Sequence, residues 1–296
     1  MKNIDLKNKI VPHLWFDKEA AEAIDFYITV FKGSKYLNQS ELEGTPSGKV
    51  GLFSFEISGQ ELAAINAGPY FRFNDSISFF YYCGSEEEID RIYGRLAENG
   101  SILFPLGKYE WSRKYAWVRD RFGIGWQLDI DDINSDQKIV PALLFVNEKS
   151  GSVREAIKYY MSVFRTSSLI MEAPVINNEG QAGEDLLFAQ FRLENFIVNA
   201  MRSPHKHDFD FNEAVSFMIM CRDQEEVDYY WERLGERGEE QPCGWLKDRF
   251  GLSWQVVPAE LNELMSGNDK GRVMAAMMKM KKLDISILRK AYSGSL

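Results

Sequence analysis

Histidine and cysteine are both scarce in this chain of 296 residues, with three of each. Metal and nucleophile chemistry lean on those two residue types, so their scarcity narrows the enzymatic schemes at once. His205 and His207 flank Lys206 in a polar stretch beside Pro204, where solvated side chains are the ordinary reading. Cys83, Cys221 and Cys243 cannot all pair with one another and lack the C-x-x-C spacing of metal or redox motifs. Positive charge is also short. Lys and Arg number 35 against 44 Asp and Glu, a formal net charge of −9, which argues against a general basic surface for nucleic acid. There is no apolar run of the ~18 residues that a membrane span needs, and no basic-then-apolar start of the signal-peptide kind. A cytoplasmic protein without nucleic-acid or membrane partners is expected. Missing too are a G-x-S-x-G elbow, a P-loop, and a G-x-G-x-x-G turn that opens a helix after a strand.

What the chain does have, it has twice. WVRDRFGIGWQL at 117–128 returns as WLKDRFGLSWQV at 245–256, with seven of the twelve positions identical. Ser78-Phe79 through Cys83, and Glu87-Glu88-Ile89-Asp90, return 138 residues later as Ser216-Phe217 through Cys221, and Glu225-Glu226-Val227-Asp228. Ile10-Val11-Pro12 returns as Ile139-Val140-Pro141. Copies of this size, about 130 residues, are far longer than a solenoid unit, so this is a duplicated domain. Residues 8–132 form the first domain and 138–258 the second, joined by a polar linker at 131–138. A tail, 259–296, reads as one or two helices broken near 267–268. Its stripe of Met274, Met277, Met278 and Leu283 is expected to pack on the second domain.

Within each copy the periodicity gives a strand, a helix and three strands, and then the same order again. In the first copy the strands fall at 10–16, 35–42, 50–57 and 61–67, with a helix at 19–31. The second round has strands at 76–83, 101–106, 115–120 and 125–130, with a helix at 86–99. Ser85 and Glu88 form a capping box before that helix, and Asp223 and Glu226 take the same places in the second copy. The first copy also carries extra residues around 108–114, read as a longer hairpin.

Four β-α-β-β-β units in series resemble the vicinal oxygen chelate superfamily, which includes glyoxalase I, extradiol dioxygenases and bleomycin-resistance proteins. Within it the chain is similar to the PhnB-like branch, often labelled a 3-demethylubiquinone-9 3-methyltransferase domain. The resemblance rests on Leu14-Trp15-Phe16-Asp17, Ala23-Ile24-Asp25-Phe26-Tyr27, Asn66-Ala67-Gly68-Pro69 with Phe71 and Phe73, the repeated W-x-x-D-R-F-G-x-x-W-Q, and Lys279-Met280-Lys281-Lys282-Leu283-Asp284-Ile285 in the tail. It implies an α+β fold of two tandem glyoxalase-like domains, each of two βαβββ units forming a cupped, mostly antiparallel sheet, with helices outside and the site in the hollow. Single-domain relatives pair as homodimers, which implies an intrachain pseudo-dimer here.

Strand alternation turns Val11, His13 and Trp15 towards the hollow and places Gln127 inward. Asn66 and Ser78 are assigned the corresponding places on the fourth and fifth strands. By the resemblance, these are the strands on which metal-dependent relatives carry His and Glu ligands. The first copy offers His13, Asn66, Ser78 and Gln127, and the second Ala142, Asn199, Ser216 and Gln255. Neutral amides and hydroxyls are poor ligands for zinc, nickel or iron. No cofactor is favoured, and a divalent metal in the first domain would have His13 as its only imidazole. The amides either bond one another across the cup or orient a polar group of a ligand. Trp15, Phe71, Phe73, Tyr82 and Trp117 are candidate walls in the first copy, and Phe209, Phe211, Cys243 and Trp245 in the second. The expectation is a PhnB-like protein that binds an unidentified small molecule without metal. The alternative is a metal-dependent lyase, isomerase or dioxygenase acting through the first domain. Methyl transfer of the usual kind needs a doubly wound parallel sheet with a glycine-rich loop, which this order of elements cannot form.

Overall fold

A computed structural model describes residues 8–45, 47–130, 136–177, 179–265 and 269–295. Most of the linker and the expected break near 267–268 lie outside the described residues. The first unit consists of β1 (Ile10–Phe16), α1 (Ala20–Val30), β2 (Lys35–Thr45), β3 (Gly48–Ile57) and β4 (Gln60–Asn66). The second is β5 (Ile77–Tyr82), α2 (Glu86–Ala97), β6 (Ser101–Tyr109), β7 (Ser112–Arg119) and β8 (Gly125–Asp129). The second copy repeats them as β9 (Ile139–Phe145), α3 (Val153–Val163), β10 (Ser167–Ile176), β11 (Ala182–Leu193) and β12 (Phe196–Arg202), and then β13 (Val215–Cys221), α4 (Gln224–Gly235), β14 (Glu239–Glu240), β15 (Trp245–Lys247) and β16 (Ser253–Pro258). The tail forms α5 (Leu261–Leu264), α6 (Lys270–Met277) and α7 (Ile285–Ser293). The capping residues act as expected: Ser85 Oγ accepts from Glu88 N at 3.2 Å and Asp223 Oδ1 from Glu226 N at 3.0 Å.

The fold is the expected α+β class, and its strands make two eight-stranded sheets. Sheet I runs β14-β15-β16-β13-β1-β4-β3-β2, and sheet II runs β10-β11-β12-β9-β5-β8-β7-β6. Each sheet therefore takes one βαβββ unit from each copy. Within a unit the first and last strands pair parallel, as β1 with β4. At the seams between copies the first strands pair antiparallel: β1 with β13, and β5 with β9. The two copies are thus joined by backbone ladders inside one chain.

Besides a shared core, a side-chain clamp built by the repeated motif links the two units of a single copy. Asp120 is buried, and its Oδ2 accepts from Tyr27 OH at 2.7 Å and Trp126 Nε1 at 2.8 Å. Its Oδ1 accepts from the backbone amides of Phe122 and Ile124 at 2.8 and 3.0 Å. Asp248 does the same with Tyr160, Trp254, Phe250 and Leu252. Tyr27 comes from α1, beside sheet I, while Asp120 and Trp126 belong to sheet II. The glycine of the motif, Gly123 or Gly251, sits at φ 92° or 82°, a turn that a side chain would strain. Burial raises both carboxyls above the ordinary aspartate value, and the four donors pull the other way.

One face of each sheet and the helices α1–α4 share a single core. Trp126 lies there 4.7 Å from Phe31 and 5.3 Å from Tyr27 between ring centroids, and each such buried ring contributes about 1.5–3 kcal/mol. A void of about 10 Å³ between Tyr160, Phe191 and Trp254 is a packing gap in this core, with room for one water at most. The opposite faces of the sheets are the two hollows.

Candidate ligand-binding hollows

Strand register lines up one row of side chains across each hollow. In sheet I, Ser216 stands opposite His13, His13 opposite Ala63, and Ala63 opposite Ser54. In sheet II the equivalent row is Ser78, Ala142, Asn199 and Gln190. The residues that the sequence grouped by copy are therefore regrouped. His13 shares hollow I with Ser216, Gln255 and Trp245 of the second copy. Ser78, Gln127 and Trp117 share hollow II with Asn199.

In hollow II, Gln127 is buried and doubly held. Its Nε2 donates to Ser78 Oγ at 2.8 Å, and Tyr115 OH donates to its Oε1. Burial raises the Tyr115 phenol well above its usual value, so it stays a donor. Across the row, Gln190 Nε2 donates to Asn199 Oδ1 at 3.0 Å and to Tyr82 OH at 3.2 Å. Around these amides stand Phe80, Tyr82, Tyr115, Trp117, Phe188 and Met201. The expected long hairpin is present, since β6 and β7 extend to Tyr109 and Ser112. It brings Phe104 parallel to Trp117 and Tyr109 parallel to Trp111. The sequence reading missed Tyr115 and Gln190. Cross-strand partnership marks both: Gln190 lies opposite Asn199, and Tyr115 stands on the hollow face two residues before Trp117.

In hollow I, Gln255 Nε2 donates to Ser216 Oγ at 3.0 Å, and Ser216 Oγ lies 3.4 Å from His13 Nδ1. The His13 ring meets the edge of Trp245 at 5.6 Å. Trp15 bonds the Gly68 carbonyl through Nε1 at 2.9 Å and packs on Phe71 at 5.0 Å. Cys243 Sγ contacts Met278 Sδ at 3.5 Å.

Several expected positions are corrected. Asn66 is not in a hollow. It lies on the helix side, where its Oδ1 accepts from Ala20 N at 2.9 Å at the start of α1, whose own N-cap residue Glu19 supplies no side-chain cap. Its apparent counterpart Asn199 is equivalent by register to Ala63. Phe73 packs against Phe16 in the core and Phe211 against Phe145, both away from the hollows. Phe209 lies on His207, outside both. The tail is rooted on the second copy but reaches the first, with Met274 packed among Leu42, Val50 and Ala67.

Burial lowers the His13 imidazole from 6.5 to about 4. The unfolded chain therefore takes up a proton that the fold refuses as pH falls through that window. This contribution to stability is complete above pH 6.5 and is lost as pH falls towards 4, about 2–3 kcal/mol between pH 7 and 4.5. Urea unfolding at those two pH values should show the loss in wild type and a smaller one in His13→Asn. Equal losses in both would reject a buried neutral imidazole.

The family described as 3-demethylubiquinone-9 3-methyltransferase matches residues 8–129 and again residues 137–257. The chain belongs to this family. A Bacillus cereus PhnB protein, titled a putative 3-demethylubiquinone-9 3-methyltransferase, is 33% identical; the match covers 42% of this chain and all of that one, at a TM-score of 0.39. A Pseudomonas aeruginosa protein is 25% identical over 42% of this chain and 98% of its own, at a TM-score of 0.37. Glyoxalase I from Zea mays is 12% identical but covers 86% of this chain and 96% of its own at a TM-score of 0.56, a likeness of fold. No curated protein matches. An imidazole-and-carboxylate metal site does not fit the donors of the two hollows. Hollow I offers one imidazole, and Glu61, on the same face of β4, is already bonded to Asn8 and Ser54. The row in hollow II is built of amides and hydroxyls. Among the described residues no three His, Cys, Asp or Glu side chains converge.

Proposed function

We propose that this protein binds an uncharged aromatic small molecule in hollow II, without a metal ion. The observation that carries the reading is the wall itself: amide pairs held by Ser78, Tyr115 and Tyr82, set among aromatic rings. Such a surface gives a ring apolar contact and offers amide and hydroxyl dipoles to one polar substituent. The clustering of donors from both copies supports a ligand that spans the seam between β5 and β9. Methyl transfer is not part of the reading, because both sheets are mixed and neither is doubly wound.

Elemental mass spectrometry on untagged protein should find no stoichiometric metal in wild type or in His13→Ala. A near-equimolar metal that disappears in the variant would replace this proposal with a metal-dependent enzyme. A thermal-shift screen of neutral aromatics should then give ligands whose affinity falls at least tenfold in Gln127→Leu, about the worth of one well-placed hydrogen bond. Ligands that bind the variant and wild type equally would place the site elsewhere.

A further inference from the structure

Exposed apolar side chains gather on the two edges of sheet II. Among the described residues twelve large ones lie open to solvent, and nine of these belong to its edge hairpins. One lip is the β10–β11 hairpin, with Leu169, Ile170 and Met171 in a row and Ile176 and Leu187 beyond them. The other is the β6–β7 hairpin, with Ile102, Leu103, Phe104 and Trp111. The duplication shows that the fold does not require this. β10 repeats β2, the edge of sheet I, and β2 carries Lys35, Asn38, Gln39 and Glu41, with Leu37 its single open large apolar side chain among the described residues. β14 repeats β6 and is Glu239-Glu240. Sheet I thus blunts its edges with charge, a common guard against association. Sheet II guards only its backbone: Pro105, Pro174 and several register shifts break its edge strands. A partner therefore meets side chains there and cannot extend the ladder.

Size and charge name the partner. The nine side chains, each near half exposure, open roughly 800 Å² in all, the share of one partner in a standard interface. Each lip alone offers about half of that, the scale of a crystal-packing contact, so a stable association needs both. The lips also differ in sign. From Ser167 to Leu193 there are four Asp and Glu against one Arg, and from Ser101 to Arg119 four Lys and Arg against one Glu. Glu172 and Asp185 are paired within the chain, as are Lys114 and Arg119. That leaves Glu179 and Glu184 on the first lip and Lys108 and Arg113 on the second, exposed and in no ion pair among the described residues. One molecule therefore carries both halves of a complementary contact, which is what a second copy of the same chain can use.

We infer that two copies of the full chain pair about a two-fold axis, the β10–β11 lip of each resting on the β6–β7 lip of the other. The axis makes the contact twice and closes the assembly, where the same contact made once per chain would run on into a filament. Sedimentation velocity on the full chain at about 50 µM should give a dimer. Ile102→Glu with Ile170→Glu, both at exposed positions, should raise its dissociation constant at least a hundredfold while the urea midpoint of the chain stays put. Glu179→Lys with Glu184→Lys should weaken the dimer at least tenfold at low salt. Adding Lys108→Glu and Arg113→Glu should restore it, because unlike lips then carry opposite charges again. A monomeric wild type at about 50 µM would overturn the inference and leave the lips to a partner of another kind. So would a species that keeps growing with concentration, a dimer indifferent to the two isoleucine substitutions, or a fourfold charge variant as weak as the double one. If the isoleucine variant unfolds, the wild type and the charge variants decide.

Discussion

Replacing Asp248 with alanine should cost about 3–5 kcal/mol of stability, the range for breaking a buried charged network and leaving its partners unpaired. Four donors lose their acceptor at once: Tyr160 OH, Trp254 Nε1 and the amides of Phe250 and Leu252. None can turn to water, because Asp248 and its aromatic partners are buried. Asp248→Asn should do little better, since its NH2 group would face donors where an acceptor is needed. Tyr160→Phe removes one bond and should cost only about 1–2 kcal/mol. Urea denaturation of the three variants gives the ranking. A loss under 1 kcal/mol for Asp248→Ala would mean that the repeated motif is kept for something other than this clamp.

The second large effect concerns the first copy expressed alone. Cut from its partner, a fragment of residues 1–135 exposes the free edges of β1 and β5, each of which has a five-residue register with the other copy. Bare inner edges and half-built hollows leave a lone fragment marginal. Because β13 is the repeat of β5, two fragments can satisfy each other by pairing β1 with β5 of the partner. Light scattering should therefore give a dimer at micromolar concentration, with no folded monomer on dilution. That dimer would bring His13 together with Ser78 and Gln127, the set that chain order suggests. A stable, folded monomer would refute the shared-sheet account.

The same ambiguity explains how much could be read beforehand. Helices, strands and caps were legible because their signals are local: apolar spacing at Ala23, Tyr27 and Phe31, alternation in β5, and Ser85 with Glu88. The duplication gave the four units. It could not say whether β1 pairs with β5 or β13, because equivalent strands present equivalent edges. Site residues fared according to the same rule. Gln127 and Ser78 face inward as alternation predicts. Asn66 does not, because Asn66-Ala67 and Asn199-Ala200 look alike as text but sit three residues apart in register. The methionines of α6 showed an apolar stripe, and a stripe does not name the surface it covers.

Ladders at the two seams and clamps within the two copies close the four units into a ring, and that closure has an evolutionary consequence. In a homodimer of identical subunits, any substitution enters both hollows together. One chain that carries both copies lifts this constraint. His13 can stand where its counterpart is Ala142, Asn199 where it is Ala63, and Cys243 where it is Tyr115. One hollow is then free to take on a tail while the other keeps its aromatic wall.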